Sequence, residues 1–347
     1  MPGGSVSHTW HMAARVLPAV VLIAFGLLAP AGHGPRQWAG PVAPQPFETV
    51  LLDAPNPLSG TTFYVDGATS AAAAAEQSSP PSPELTRLAQ TPQVWWIGDD
   101  LSTDAVADRV RAYIAAAATL GALPMLATYS LPHRDCGGFS SGGFGTGGEY
   151  RDWIDQLAAG IGTARVVIVL EPDGLSAADC LSGQARQERF DLLRYAVTAV
   201  TADPNATVYV DGGHSRWLAP EELARRLEEV GVDRARGFAL NTANFFSTEE
   251  EIRYGEEVSN LTNGAHYVID TSRNGAGPAP AGPLNWCNPP GRAIGTAPTT
   301  STAGAHADAY LWIKHPGESD GECGRGDPTS GHFMAQYAID LVRGAGP

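Results

Sequence analysis

The 347-residue sequence has few basic residues for its length. It contains 22 Lys and Arg against 37 Asp and Glu, which gives a formal net charge of −15 at pH 7 and a pI near 4.9. Surfaces that bind nucleic acid need the opposite balance, because they must pair with phosphates. We therefore expect no nucleic-acid partner, whereas a neutral substrate is compatible with an acidic surface.

Sequence motifs for nucleotides and for zinc are also missing. No G-x-G-x-x-G follows the first predicted strand, and G-x-x-x-x-G-K-[ST] occurs nowhere in the chain. The nine histidines are scattered and form no His-His-Glu set of the zinc hydrolases. The sequence therefore predicts neither a cofactor nor a metal.

Long apolar runs are scarce, and the one at residues 16–28 resembles an export signal. Arg15 precedes it, and the small residues Ala29-Pro30-Ala31 follow it. The run is short for a membrane span. We expect a signal peptide over 1–31, an extended lead-in over 32–58 and a catalytic domain over 59–347. The protein would then be secreted and leave the membrane after cleavage; an uncleaved signal would keep it at the cell envelope.

Cysteine is rare as well, but the number is even. The four residues Cys136, Cys180, Cys287 and Cys323 allow three pairings and fit an oxidising compartment. Two disulfides closing loops of this length would each stabilise the fold by roughly 4 kcal/mol.

Strands and helices alternate from residue 94 onward. This alternation predicts an α/β fold with a parallel sheet of about seven strands, most simply a (β/α) barrel. The predicted strands are 94–97, 123–129, 165–170, 207–210, 237–240, 266–269 and 309–313. The predicted helices are 68–77, 104–120, 149–161, 185–202, 220–230, 248–261 and 331–343.

Polar residues follow each strand, and carboxylates dominate them. The buried strand 165–170 runs directly into Glu171 and Asp173, which would point to the same side if strand geometry continued. Active sites of barrels lie at the C-terminal ends of the strands. Because the set is rich in carboxylates, glycoside hydrolysis is the favoured chemistry. Its members are Tyr129, Asp135, Glu171, Asp173, Asp211, His214, Asn241, Asn244, Asp270, Arg273, Lys314, Glu318 and Asp320.

Tryptophans near the strand ends support a sugar substrate, since indole rings stack on the C–H faces of sugars. Trp95, Trp96, Trp217, Trp286 and Trp312 are placed in this way. Core packing is the alternative for each of them, most of all for Trp95 and Trp312.

Five segments in order resemble glycoside hydrolase family 6, the family of endoglucanases and cellobiohydrolases. They are YSLPHRDCGG at 129–138, VIVLEPDGL at 167–175, DGGHSRW at 211–217, NWCN at 285–288 and WIKHPGESDG at 312–321. The resemblance implies a distorted (β/α) barrel with fewer than eight strands. It also implies hydrolysis of β-1,4-glucan with inversion of configuration.

The resemblance assigns roles to individual residues. Asp173 would be the general acid, Asp135 would assist it, and Asp320 would be the catalytic base. Tyr129 would favour a distorted sugar ring in the cleavage subsite. Substrate binding would fall to Trp96, Asp211, His214, Trp217, Trp286, Lys314 and Glu318. Asn241 and Asn244, which follow a strand, are further substrate-binding candidates. The resemblance further pairs Cys136 with Cys180 and Cys287 with Cys323.

Neighbouring carboxylates should raise the pKa of the acid. We expect Asp135, Glu171 and Asp211 to do this for Asp173. An inverting acid and base should stand roughly 6.5–9.5 Å apart.

Loop lengths distinguish internal from terminal cleavage. The segments after Cys287 and after Asp320 are short, which favours an open cleft and an endo-acting enzyme. We also expect the enzyme to be a monomer. Two alternatives stay open: a hydrolase of another β-glucan or of a self-made polysaccharide, and a secreted carbohydrate-binding protein without catalysis.

Overall fold

Seven parallel strands, adjacent in the sheet in the order of the chain, form the centre of residues 54–346, the part that the computed structural model describes. The export segment predicted at 1–31 and the lead-in as far as residue 53 lie outside the described residues. The strands are β1 (Trp95–Gly98), β2 (Met125–Tyr129), β3 (Val166–Leu170), β4 (Ala206–Asp211), β5 (Gly237–Leu240), β6 (His266–Asp270) and β7 (Ala307–Leu311).

The sheet curls so that its two edges approach each other. The backbone N–H of Val94, just before β1, donates to the carbonyl of Trp312, just after β7, over 3.0 Å. The Trp96 indole N–H donates to the carbonyl of Ile313 over 2.7 Å. No strand ladder joins β1 to β7 among the described residues. The predicted α/β fold with a distorted barrel is thereby confirmed. Individual hydrogen bonds, and not a continuous strand ladder, connect the first and last strands of the barrel.

Strand β3 is buried on both faces, as its apolar run predicts. Val167 and Val169 point into the barrel, where they pack with Tyr209 and other strand residues. Ile168 and Leu170 point outward and join the layer between sheet and helices. Such two-sided burial is the normal environment of a parallel strand.

Helices cover the outer face of the sheet. They are α1 (Ser70–Gln77), α2 (Pro83–Ala89), α3 (Thr103–Thr119), α4 (Gly147–Ile161), α5 (Gly183–Val200), α6 (Pro220–Glu229), α7 (Thr248–Leu261) and α8 (Ala335–Gly344). Local caps set several of their starts: Thr146 and Glu149 form a capping box on α4, and the Ser247 side chain caps α7. No helix within 54–346 is long and apolar enough to cross a membrane.

Two helix predictions need correction. Helix α2 has no counterpart among the predicted elements. The last helix begins at Ala335 rather than at residue 331, because residues 331–334 pair with the loop after β7 instead. There the Ser319 N–H donates to the carbonyl of His332 over 2.8 Å, and the Met334 N–H donates to the carbonyl of Gly317 over 2.8 Å.

Candidate active site

A cleft of about 1190 Å³ lies at the C-terminal ends of the strands. Most of the residues that the sequence predicts for the site line it. These are Trp96, Tyr129, Asp135, Asp173, His214, Trp217, Asn244, Trp286, Lys314, Glu318 and Asp320. Asp211 and Asn241, which were also expected to bind substrate, do not line it, and neither do the strand-end residues Glu171, Asp270 and Arg273.

The backbone turns sharply between β3 and Asp173. Glu171 and Asp173 have left-handed φ angles of 51° and 65°, which non-glycine residues rarely adopt. The two side chains therefore separate, and only Asp173 lines the cleft. A common direction required strand geometry to continue past β3, and it ends at Leu170.

Glu171 holds the loop after β2 from inside the protein. Its buried carboxylate accepts bonds from the N–H of Ser130 over 2.9 Å, the N–H of Leu131 over 3.1 Å and the hydroxyl of Tyr150 over 3.2 Å. Although Glu171 lies only two residues before Asp173, its side chain supports the fold and does not line the cleft.

Asp173 is a carboxyl group whose surroundings favour its protonated form. Burial raises its pKa well above the ordinary aspartate value, and the charges of Asp211, Asp135 and Asp320 raise it further. Lys314 opposes this effect. The sequence predicted a similar set, with Glu171 in the place that Asp320 takes. A carboxyl in such surroundings can act as a proton donor near neutral pH.

Asp211 lies directly behind Asp173 and is fully buried. Its Oδ1 accepts hydrogen bonds from the N–H of Asp173 over 2.9 Å and from the N–H of Gly213 over 3.0 Å. Burial raises the pKa of Asp211 to about 7. The prediction that Asp211 binds a sugar hydroxyl is corrected, since its carboxylate does not reach the cleft.

Asn241 is likewise fully buried and joins two loops. Its amide donates to the carbonyls of Phe246 over 3.1 Å and Asp270 over 2.9 Å, and its carbonyl accepts from the N–H of Phe246 over 3.1 Å. Sugar binding by Asn241 is therefore also corrected, whereas Asn244 lines the cleft.

Asp320 is held by a cation and by backbone. Its Oδ2 accepts from the buried guanidinium of Arg273 over 2.8 Å and from the N–H of Asn288 over 3.0 Å. The N–H of Asp320 donates in return to Oδ1 of Asn288 over 2.7 Å. The Lys314 ammonium stands 3.8 Å from Oδ1. These contacts fix the Asp320 carboxylate on the cleft wall and place two cations beside it.

Ser140 connects the other two predicted catalytic residues. Its N–H and its hydroxyl each lie 2.8 Å from Oδ2 of Asp135, and its hydroxyl lies 2.9 Å from that of Tyr129. Residues 138–142 have the letters of the G-x-S-x-G nucleophile elbow, but Ser140 bonds a carboxylate and a phenol rather than a histidine. Ser140 therefore positions Asp135 and Tyr129.

Exposed aromatic rings border the cleft. Trp217 and Trp286 are 39% and 41% exposed, and Phe139, which the sequence prediction missed, packs 6.1 Å from Trp286. Trp96 contacts the Tyr129 ring edge-on at 5.1 Å. Trp312 is 1% exposed, so core packing is the correct interpretation for it.

An ion pair between Asp99 and Arg134 was also missed. The Arg134 guanidinium donates to Asp99, to the carbonyl of Tyr129 over 2.6 Å and to the carbonyl of Ser140 over 2.8 Å. Asp99 comes directly after β1, so the rule that polar residues follow each strand would have found it.

Both disulfides anchor loops of the cleft. Cys136–Cys180 lies next to Asp135, and Cys287–Cys323 lies next to Asn288. This is the pairing that the family resemblance implies. Within 54–346 no group of three or more His, Cys, Asp or Glu side chains is arranged to hold a metal ion.

Comparison with known proteins gives consistent matches. The sequence profile described as "Glycosyl hydrolases family 6" matches residues 58–345. Endoglucanase A of Cellulomonas fimi is 40% identical over 292 residues, and Endoglucanase 1 of Streptomyces sp. (strain KSM-9) is 41% identical over 261 residues. These alignments cover 84% and 74% of this chain and 62% and 71% of the relatives, so the chain spans less than two thirds of the first.

A solved structure is closer still in sequence. The endoglucanase Cel6 of Mycobacterium tuberculosis, in complex with methyl-cellobiosyl-4-deoxy-4-thio-β-D-cellobioside, is 61% identical with a TM-score of 0.84. The match covers 84% of this chain and 100% of that one.

Proposed function

The chain belongs to family 6 of the glycosyl hydrolases, and on that premise we propose that it is a secreted endo-β-1,4-glucanase that cleaves with inversion. One observation carries the proposal: Asp173 lines a cleft in which burial and three further carboxylates favour its protonated form. A protonated carboxyl is what a glycosidic oxygen needs in order to leave.

Asp173 donates its proton to the bridging oxygen as the bond to the anomeric carbon breaks. Positive charge then develops on the sugar ring, and the carboxylate of Asp135 stabilises it. Tyr129, held by Ser140, packs against this ring and favours a distorted conformation. Asp320, held in place by Arg273, accepts a proton from the water that attacks the opposite face.

The substrate class follows from the cleft and from the relatives. Both curated relatives are named endoglucanases, and the Mycobacterium tuberculosis structure contains a thio-linked cellobioside. In this chain, Trp217 and Trp286 offer ring faces for stacking, while Lys314 and Glu318 offer groups for sugar hydroxyls. β-1,4-Glucan fits this set.

Internal cleavage requires a cleft that a long chain can enter from the side. The exposure of the Trp217 and Trp286 rings supports such an opening. Secretion is supported by the two disulfides and by the apolar run at 16–28. We propose a monomer that has no membrane contact once the signal is cleaved.

Viscometry and reducing-sugar release from carboxymethyl cellulose test the proposal together. Wild-type protein should lower the viscosity of the solution rapidly after cleaving only a few glycosidic bonds. Release of cellobiose without a loss of viscosity would reject the endo mode. Asp173→Asn should lower the rate by a factor of about 10³ or more while cellotetraose still binds. Hydrolysis near the wild-type rate in that variant would refute the acid assignment.

Activity on other β-glucans but not on cellulose would favour the alternative of a different polysaccharide. Binding without hydrolysis of any glucan would favour a carbohydrate-binding protein. NMR of the first product anomer tests inversion directly, because an inverting enzyme releases the α-anomer from a β-linkage.

A further inference from the structure

Glu251, which is buried outside the cleft, anchors a loop whose residues form part of the cleft wall. Residues 213–218 follow β4, and within them His214, Arg216 and Trp217 line the cleft. Between His214 and Arg216 lies Ser215, whose side chain points away from the cleft toward the first turn of α7. There it meets two carboxylates, those of Glu250 and Glu251.

The Ser215 hydroxyl lies within hydrogen-bonding distance of two carboxylate oxygens, and both contacts contain a hydrogen only if one of the carboxylates is protonated. Its Oγ lies 2.9 Å from Oε1 of Glu250 and 2.7 Å from Oε1 of Glu251. A serine hydroxyl has one hydrogen to donate. If both glutamates were charged, one of these short oxygen–oxygen contacts would have no hydrogen in it.

Glu251 is the partner that carries the extra proton. Glu250 is neutralised by Arg216, whose guanidinium donates to it over 2.6 Å and 2.8 Å. Glu251 is fully buried and faces Ser215, whose backbone N–H lies 3.1 Å and 3.2 Å from its two oxygens. Among residues 54–346 no cation forms an ion pair with Glu251, and a buried carboxyl without such a partner favours the neutral form.

We propose that protonated Glu251 is a positioning residue that holds the 213–218 loop, and through it Arg216 and Trp217, in the geometry that binds glucan. The hydrogen bonds then run in one direction, from Glu251 to the Ser215 hydroxyl and from that hydroxyl to Glu250. Loss of the Glu251 proton interrupts this series of hydrogen bonds and leaves two carboxylates around the Ser215 hydroxyl. The loop loosens, and affinity for the substrate falls. This inference rests on the proposed function, since it takes glucan as the ligand.

The pKa values of the surrounding groups agree with the assignment. Burial raises the pKa of Glu251 to about 7. Arg216 lowers the pKa of Glu250, and burial lowers that of His214 to about 4, so neither titrates near neutrality. The titratable and charged groups around Glu251 and its loop are His214, Arg216, Glu250, Arg253, Tyr254 and Asp211.

Of these, Asp211 also titrates near neutrality, with a pKa of about 7, and it holds Gly213 at the start of the loop. The pH dependence of affinity in the parent protein alone therefore cannot distinguish Glu251 from Asp211. The comparison between the parent and its Glu251→Gln variant makes that distinction.

The test measures cellotetraose affinity by calorimetry in a non-hydrolysing Asp173→Asn background, at about pH 5.5 and about pH 8.5. In that parent we expect the Kd to rise roughly fivefold between the two pH values, the scale of one lost hydrogen bond. Adding Glu251→Gln should keep the acid-side affinity and reduce the rise to about twofold or less, because an amide donates to Ser215 at every pH. Glu249→Gln, which changes an exposed carboxylate in the same turn, should behave as the parent.

The same rise in Glu251→Gln as in the parent would overturn the inference, and so would a parent whose affinity does not change with pH. A ligand-free measurement gives a second readout: the Trp217 emission, obtained by subtracting a Trp217→Phe spectrum, should shift near pH 7 in the parent and not in Glu251→Gln. Failure of the proposed function would instead appear as wild-type protein that does not hydrolyse carboxymethyl cellulose at about pH 5.5, a result independent of both readouts.

Discussion

The backbone N–H of Asp173 donates a hydrogen bond of 2.9 Å to Oδ1 of Asp211. The bond joins the loop after β3 to the end of β4, and it fixes a second carboxyl group beside the proposed acid. Asp211 thereby both positions Asp173 and, through its charge, helps to keep that residue protonated. Catalysis in the proposed mechanism depends on both effects.

Asp211→Asn separates charge from geometry. The amide oxygen can still accept the bond from Asp173, but the charge that raises the pKa of Asp173 is gone. The proton donor is active below its own pKa, so kcat/KM falls as pH rises through that pKa. A lower pKa should move this alkaline fall to lower pH, by about one unit.

The pH profile of kcat/KM on a soluble cello-oligosaccharide measures this shift. Asp340→Asn, which changes an exposed carboxylate on α8, should leave the profile unchanged. An unmoved alkaline limb in Asp211→Asn would show that Asp211 acts on Asp173 through position alone.

Glu171→Gln should destabilise the protein. The buried carboxylate accepts bonds from Ser130, Leu131 and Tyr150, and an amide replaces one acceptor by a donor facing N–H or O–H groups. We expect a loss of about 2–4 kcal/mol in the free energy of unfolding, measured with urea. Glu228→Gln on the exposed side of α6 should change it by less than about 0.5 kcal/mol. Equal stability of the two variants would contradict the role of Glu171.

Trp217→Ala and Trp286→Ala should weaken binding without unfolding the protein. Both rings are exposed at the cleft, so their loss should remove the proposed contact with sugar and not core packing. We expect KM on soluble cellulose to rise roughly threefold to tenfold, with little change in the unfolding midpoint. Leu120→Ala removes a 70% exposed apolar side chain outside the cleft and should leave KM unchanged. Unaltered KM in both tryptophan variants would argue against stacking platforms at these positions.

Replacing Cys287 and Cys323 by serine should lower both stability and kcat. The bond closes a loop with a sequence separation of 36, so its loss should cost about 4 kcal/mol in the chain-entropy treatment. The loop also carries Asn288, which exchanges two hydrogen bonds with Asp320, and greater freedom there should misplace the proposed base.

Calorimetry and initial rates at a temperature where the serine variant stays folded separate these two effects. The Asn288→Ala variant with the disulfide intact should show the same drop in kcat at a smaller loss of stability. Full activity in that variant would contradict a positioning role for the loop.

The sequence by itself determined most of the elements, their order and the class of chemistry. Apolar runs of strand length and helical periodicity are local properties, so β3 and α7 could be predicted to within a few residues. Carboxylates at strand ends could be recognised because all parallel strands end on the same side of a sheet. The five family segments then identified Asp135, Asp173 and Asp320 as the acidic groups of one site.

Only the tertiary structure decided where each of these side chains points. Glu171 and Asp173 are two residues apart, yet left-handed backbone at both sends one into the core and the other into the cleft. Asn241 follows strand β5, as other predicted site residues follow their strands. It is nevertheless buried, and its amide donates to the carbonyls of Phe246 and Asp270. Such directions depend on hydrogen bonds between loops that are distant in the chain, and the spacing of residues along the chain carries no information about them.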